Sequence, residues 1–315
     1  MKQLKNSLGF DIGTSKTRIF KGGKLIVETP TQFEYEGEIL QNLIVNGKIS
    51  DFNATEQFLR QEIKKVQNPL FSLFSPALTT IVSVPSDMNE VALRAFRDSF
   101  EHAGVKNCYM LFDCLIAAIG LGIDIKNSTS MIVDFGAGKT SITTTQGYKI
   151  IKNNILDISG NSLNETIQTY ISRKYNLTIS KEEAEKLKIE YVDLRRNGAI
   201  EKTVRVTGNE KKSKELKEIL IESKELADCL ALETDLLVDK ILGHFEKLDE
   251  SDSEKIRTNG IYLIGGGLKL KGLIDKISDK INVSDKSYNL DKKYMNIGFE
   301  KVQSNPEILY KSMII

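Results

Sequence analysis

The chain has 315 residues, 40% hydrophobic and 28% charged, a composition that folds and leaves room for about two domains. Lys and Arg number 44 against 43 Asp and Glu, so no global field draws the protein to nucleic acid or anionic lipid, and a nucleic-acid function is disfavoured. Cys108, Cys114 and Cys229 show no metal-ligand spacing, His102 and His244 stand alone, and "MKQLKNSLGF" is too polar for a signal sequence; together these argue against a zinc site or histidine triad and for a reducing cytoplasm.

"SLGFDIG" (7–13) reads as a buried strand, "TSKTRIF" (14–20) as a tight turn and second strand, and "KLIVE" (24–28) as a third, with Gly22-Gly23 closing a hairpin. From Asp51 the apolar positions Phe58, Leu59, Ile63 and Val66 fall at helical spacing behind an Asp51 or Asn53 cap. "NPLFSLFSP" (68–76) is a proline-bracketed loop. "LTTIVSVP" (78–85) is a β-branched buried strand, and the next helix starts at Asn89, aligns Ala92, Ala95, Phe96, Ser99 and Phe100, and stops at Gly104. A short strand at "CYMLF" (108–112) leads to the apolar helix "CLIAAIGLG".

"TSMIVDFGAGKTSITTTQG" (129–147) then repeats the form of the N-terminus: apolar strand, aspartate at its end, glycine turn, polar second strand. Strand, turn and helix follow over 149–176, and Ser180 with Glu183 opens a charged helix. "KTVRV" (202–206) has strand character. Leu216, Ile219, Leu220, Leu226, Leu230, Leu237, Ile241 and Phe245 give residues 213–248 a helical pattern, read as two helices. "NGIYLIGGGLKLKGLIDKI" (259–277) is strand, triple glycine and helix, and the tail closes with a strand and a helix.

"DFGAGKT" (134–140) ends like a nucleotide-binding phosphate loop, but that loop needs a glycine where Val133 stands. The paired motif is more informative. "DIGTSKT" and "DFGAGKT" each place a carboxylate at a strand end and small residues in the next turn, so two such hairpins can hold a nucleotide's phosphates by backbone N–H groups, with two aspartates holding Mg²⁺ through its waters. "GGG" (265–267) adds a place where backbone can approach a bulky ligand without Cβ atoms.

In these motifs, and in "GKISDFNATEQFLRQEI" (47–63), "VPSDMNEVALRAFRDSFEHAGVKNCYML" (84–111), "YISRKYNLTISKEEAEKLKIE" (170–190) and "LIGGGLKLKGL" (263–273), the chain resembles the actin, chaperone and sugar-kinase ATPase superfamily, most closely the MreB-type bacterial actins. The resemblance implies an α/β, actin-like, ribonuclease H-like duplicated fold of two lobes around a nucleotide cleft. Lobe I would span 1–147, with a reduced small subdomain at about 30–50 and the C-terminal helix 299–315 returning to it; lobe II would span 148–298, with an outer subdomain at about 181–245.

By position, the resemblance assigns ATP or ADP to Gly13, Thr14, Ser15 and Lys16 on one hairpin and Gly136, Ala137, Gly138 and Lys139 on the other. It adds Glu185 and Lys188 beside the adenosine, Gly265, Gly266, Gly267 and Leu268 near the sugar and α-phosphate, and Asp11 and Asp134 near Mg²⁺. Two positions depart from the family. Lys139 replaces a threonine that helps position the attacking water, and Asp113-Cys114 replaces a Glu-Pro pair that carries the catalytic glutamate. Slow hydrolysis is the expectation, with Asp113 and Lys139 as the residues that set its rate.

The resemblance also implies self-association into filaments that guide cell shape or position a cellular structure. Leu70, Phe71, Leu73 and Phe74 lie where such proteins carry an apolar loop that touches the inner membrane face, so the expected location is cytoplasmic with peripheral attachment. Two further readings share the fold: a non-polymerising adaptor or chaperone of the FtsA or EutJ kind, and a sugar or metabolite kinase, for which Asp113 would have to serve as the substrate-binding aspartate.

Overall fold

The computed structural model describes residues 4, 6–66, 78–195, 202–288 and 293–314; the apolar loop 68–76 therefore lies outside the described residues. The chain divides into two compact units. One comprises Met1–Ser130, Thr143–Asn153 and Leu290–Ile315, and the other Met131–Ile142 and Asn154–Asn289. The cut expected at 147/148 falls in the turn that joins two strands of one sheet.

The first unit opens with β1 (Leu8–Ile12), β2 (Lys16–Lys21) and β3 (Lys24–Pro30), an antiparallel set. Two small ribbons follow, β4 (Phe33–Tyr35) with β5 (Glu38–Leu40), and β6 (Ile44–Val45) with β7 (Lys48–Ile49). Helix α1 (Phe52–Val66) starts where Asp51 Oδ1 accepts the Ala54 N–H at 2.9 Å and buries Phe58, Leu59 and Ile63. Strand β8 (Thr79–Val84) is buried at every position. Helix α2 (Glu90–His102) is capped by Asn89, whose side chain accepts the Ala92 N–H, and it ends at Gly104 with φ +96°. Strand β9 (Asn107–Phe112) and helix α3 (Asp113–Gly120) complete this stretch. The sheet order is β3-β2-β1-β8-β9, with β1, β8 and β9 parallel.

The second run of the chain repeats that plan. Strands β10 (Ser130–Phe135), β11 (Thr140–Gln146) and β12 (Lys149–Leu156) precede helix α4 (Gly160–Tyr175), the short β13 (Leu177–Thr178) and α5 (Lys181–Tyr191). Strands β14 (Thr203–Glu210) and β15 (Leu216–Glu222) form an antiparallel ribbon, and α6 (Ser223–Glu246) and α7 (Glu250–Asn259) come next. Strand β16 (Ile261–Ile264), a 3-10 turn at Gly266–Lys269, α8 (Leu273–Lys280) and β17 (Asp285–Tyr288) finish it. The order β12-β11-β10-β16-β17 matches the first sheet position for position, with β10, β16 and β17 parallel.

Residues 216–222 correct the helical reading of 213–248. Leu216, Ile219 and Leu220 hold the helical i, i+3, i+4 spacing, but pairing with β14 overrides it. Val204 and Val206 face Ile221 and Ile219 across the ribbon, and Val204, Val206 and Ile221 are buried, while Leu216 and Leu220 stay exposed. One 24-residue helix follows instead of two.

The tail also differs, adding two helices, α9 (Lys293–Ser304) and α10 (Pro306–Ser312), after β17, because Asn305 and Pro306 stop one helix and start another. Helix α9 packs on the first unit through small residues. A Cβ at Gly298 would lie 2.3 Å from the Ile116 carbonyl oxygen, and one at Gly9 would lie 2.5 Å from the Phe299 ring. Phe299 stacks on Phe20 at 4.8 Å. Among the described residues, no helix is long and apolar enough to cross a membrane.

Candidate functional site: two acidic hairpins and a triple glycine

In the first unit Asp11 sits at the end of β1, 6% exposed, in the middle of a row that crosses four strands. Ser83 on β8 and Arg18 on β2 stand directly opposite it, and Glu28 on β3 stands opposite Arg18. Ser83 Oγ donates to Asp11 Oδ1 at 3.3 Å and Arg18 Nη1 to Asp11 Oδ2 at 3.4 Å. The turn that follows is tight: the Gly13 N–H donates to the Lys16 carbonyl at 3.0 Å, and a Cβ on Gly13 would come within 3.1 Å of that same oxygen. Thr31 braces the turn from behind. Its hydroxyl donates to the Gly13 carbonyl at 2.8 Å and its N–H to the Ser15 carbonyl at 3.1 Å. Lys16 Nζ donates to Glu28 Oε1 at 2.6 Å.

The second unit repeats the turn bond for bond. The Gly136 N–H donates to the Lys139 carbonyl at 3.0 Å, and a Cβ on Gly136 would lie 2.8 Å from that oxygen. Here the brace is helix α4, seated by a reciprocal capping box between Ser159 and Ser162. Its first N–H groups, from Gly160 and Asn161, donate to the carbonyls of Gly136 and Ala137 at 3.0 and 2.8 Å. The carbonyl of Gly160 accepts Lys188 Nζ at 2.6 Å, and Lys188 also pairs with Glu185 at 2.7 Å. Asn164 holds the same Glu185 oxygen at 2.8 Å. Lys188 is 2% exposed, and burial pushes its ammonium below the ordinary lysine range, with Glu185 opposing the shift.

The triple glycine follows β16, whose Ile264 lies directly opposite Asp134. Gly265 has φ +100° and ψ 161°, and a Cβ there would stand 2.3 Å from Asp134 Oδ1 and 2.5 Å from the Phe135 carbonyl oxygen. A Cβ at Gly267 would enter the Phe135 ring at 2.5 Å, whereas one at Gly266 would meet nothing within 4 Å. Two of the three glycines are thus required by the end of β10, and the third leaves open space. Leu268 is buried just beyond.

Within the second unit Asp134, Gly136–Lys139, Glu185, Lys188 and Gly265–Leu268 are therefore linked by direct contacts or by strand register. In the first unit Asp11 and Gly13–Lys16 form the matching turn. Asp113 is the first residue of α3, its Oδ1 accepting the Cys114 N–H at 2.7 Å.

No cluster of three or more His, Cys, Asp or Glu among the described residues could cage a metal. Strand-end carboxylates outside such a cluster suit an ion that keeps most of its waters and takes its other ligands from phosphate, as Mg²⁺ does. Asp134, with a carboxylate beside cleared backbone at Gly265, fits that use. Asp11 fits it too, with Arg18 already at hand.

A model of the MreB/Mbl protein family matches residues 38–309. The chain belongs to that family. It is 26% identical over 300 residues to the cell shape-determining protein Mbl of Bacillus subtilis, covering 88% of this chain and 89% of that one. MreB5 of Spiroplasma citri, solved bound to AMPPNP and to ADP, superposes with TM-scores of 0.82 and 0.84 at 20% identity, over 95% of this chain and 96% and 98% of those. A MamK double helical filament gives 0.78 at 15% identity, over 95% of this chain and 99% of that one. The fold is actin-like, and the protein is an MreB-like actin homologue.

Sequence reasoning missed several residues around this candidate site. Arg18, Glu28 and Ser83 gave only alternation within strands, and their row appears once register is known. Thr31 lies 18 residues from the turn it braces, and Gly160 and Asn164 read as an ordinary helix start.

Proposed function

We propose that this MreB/Mbl chain binds ATP with Mg²⁺ through both acidic hairpins and polymerises into filaments that serve cell shape or position a cellular structure. One observation carries the reading: the turns at Gly13–Lys16 and Gly136–Lys139 share the same cross-turn hydrogen bond, a Cβ position crowded by the same carbonyl and the same preceding aspartate. Backbone N–H groups and the Lys16 and Lys139 ammoniums would hold the phosphates. Asp11 and Asp134 would hold Mg²⁺ through its waters, and the ion would supply charge neutralisation at the phosphates. Glu185 and Lys188, fixed by Gly160 and Asn164, would flank the adenosine, and the open space at Gly266 would admit the sugar.

Hydrolysis is slow on this account. Asp113 carries a carboxylate one methylene shorter than the family's glutamate, and a displacement of about 1 Å costs around a hundredfold in rate. Lys139 offers a charge to phosphate where a threonine would orient water. The nucleotide-bound MreB5 structures and the MamK filament support the binding and assembly parts for a chain of this fold. Peripheral membrane contact through residues 68–76 rests on the sequence of that loop, Leu70, Phe71, Leu73 and Phe74.

Pelleting and negative-stain microscopy with ATP, ADP and no nucleotide test the reading: ATP-dependent filaments are expected, and a folded protein that binds ATP yet stays monomeric at high concentration would refute the assembly half. A second reading, a non-polymerising adaptor, is favoured by one feature. Residues 33–49 hold only the two ribbons β4–β5 and β6–β7 in the place of a small subdomain. The same experiment separates the two.

A further inference from the structure

We infer that the row Ser83–Asp11–Arg18–Glu28, joined at its outer end by Lys16, sets how much the bound nucleotide depends on magnesium. Arg18 supplies part of the positive charge that the metal would otherwise bring. The inference rests on the nucleotide reading above and concerns Arg18 and Glu28, to which that reading gives no role.

The row follows from register. Ser83, Asp11, Arg18 and Glu28 are direct cross-strand neighbours on β8, β1, β2 and β3, so their side chains rise from one face of the sheet. Arg18 is clamped between two carboxylates: Nη1 lies 3.4 Å from Asp11 Oδ2, and Nε donates to Glu28 Oε2 at 2.8 Å. Lys16, two residues before Arg18 on the same strand face, takes the other oxygen of Glu28 at 2.6 Å. Side-chain exposure rises along the row from 9% at Asp11 through 16% at Arg18 and 35% at Glu28 to 51% at Lys16, so the inner pair feels its charges least screened. The Lys16 and Arg18 cations hold the Glu28 carboxyl below the usual range, with Lys16 the larger influence.

Asp11 alone beside a triphosphate is a like-charge contact that only a cation relieves. Arg18 relieves part of it permanently. Glu28 works the other way, since it takes up charge from Arg18 and Lys16 that phosphate oxygens would otherwise receive. Arg18 is thus a positioning residue that acts through Asp11, and Glu28 is its counterweight.

The test is the ratio of ATP dissociation constants measured in EDTA and in excess Mg²⁺, by calorimetry on wild type, Arg18→Gln, Arg18→Lys and Glu28→Gln. General damage to the site weakens both constants and leaves the ratio still. Loss of Arg18 raises the ratio by about tenfold, the effect of one partly buried charge-assisted hydrogen bond. Arg18→Lys restores most of it. Glu28→Gln, at an exposed sheet edge and the variant that folds even where Arg18→Gln does not, lowers the ratio a few-fold. Ratios within about twofold of wild type, or a shift in the same direction for Arg18→Gln and Glu28→Gln, overturn the inference. Wild type that binds no nucleotide in either condition removes the functional reading itself, which is a distinguishable result and takes the inference with it.

Discussion

Replacing each glycine of the triple run by alanine gives three different outcomes from one chemical change. Gly265 has φ +100° and ψ 161°, a region open to glycine and costing other residues about 1–3 kcal/mol. A methyl group there would also stand 2.3 Å from Asp134 Oδ1 and 2.5 Å from the Phe135 carbonyl, where backbone blocks relief, adding about 1–3 kcal/mol of overpacking. The sum, about 2–6 kcal/mol, is a large part of the roughly 5–15 kcal/mol that holds a typical domain.

Gly267→Ala presses on the Phe135 ring at 2.5 Å, which can move, and should cost about 1–3 kcal/mol. Gly266→Ala meets nothing within 4 Å and should change stability by under about 1 kcal/mol, through unfolded-chain entropy alone. Urea unfolding of the three variants reads the order directly. A Gly265→Ala variant within about 1 kcal/mol of Gly266→Ala would refute the claim that the turn is shaped by the end of β10.

Three further outcomes are expected. Glu225 accepts hydrogen bonds from Lys174, Tyr170 and Tyr175 on one oxygen, and Lys174 above all pulls its pKa from 4.5 to about 2. Because the folded value is the lower one, the stabilisation is whole above pH 4.5 and lost as the pH falls from there towards 2; after solvent screening it amounts to about 1 kcal/mol, so Glu225→Gln should lose less stability over that interval than wild type, and parallel acid curves would count against it. Phosphate release should be slow in wild type and rise by up to about a hundredfold in Lys139→Thr combined with Asp113→Glu, and a fast wild type that the changes leave alone would defeat the hydrolysis argument. Phe71→Ser with Phe74→Ser should abolish co-sedimentation with liposomes, and equal binding would remove the loop from consideration.

Residues whose meaning is local were legible in the sequence. The two Asp-x-Gly turns announced themselves by repetition, and Asn89, Gly104 and Ser180 marked helix ends because caps act over three or four residues. Residues 216–222 misled because Leu216, Ile219 and Leu220 hold helical spacing, and the partner that makes them a strand, β14, lies across a hairpin. Lys188 is placed beside the adenosine by resemblance alone, and its own helix does not reveal its burial, because the Gly160 carbonyl that accepts its ammonium lies 28 residues away. The triple glycine was noticed for what it admits, yet Gly265 and Gly267 are needed for what they pack against, a fact that only the pairing of β16 with β10 reveals. Arg18 and Glu28 were invisible for the same reason, since cross-strand neighbours have no signature along the chain.

The central claim is that the two acidic turns serve one nucleotide. Calorimetric titration of nucleotide-stripped, folded protein with ATP and Mg²⁺ tests it most directly, alongside Gly13→Ala and Gly136→Ala. The account predicts one ATP per chain in wild type and weaker binding in both variants, more so for Gly136→Ala, whose methyl group would stand 2.8 Å from a carbonyl against 3.1 Å at Gly13. Heat that is absent in wild type, or binding that one turn's substitution leaves untouched, would contradict it.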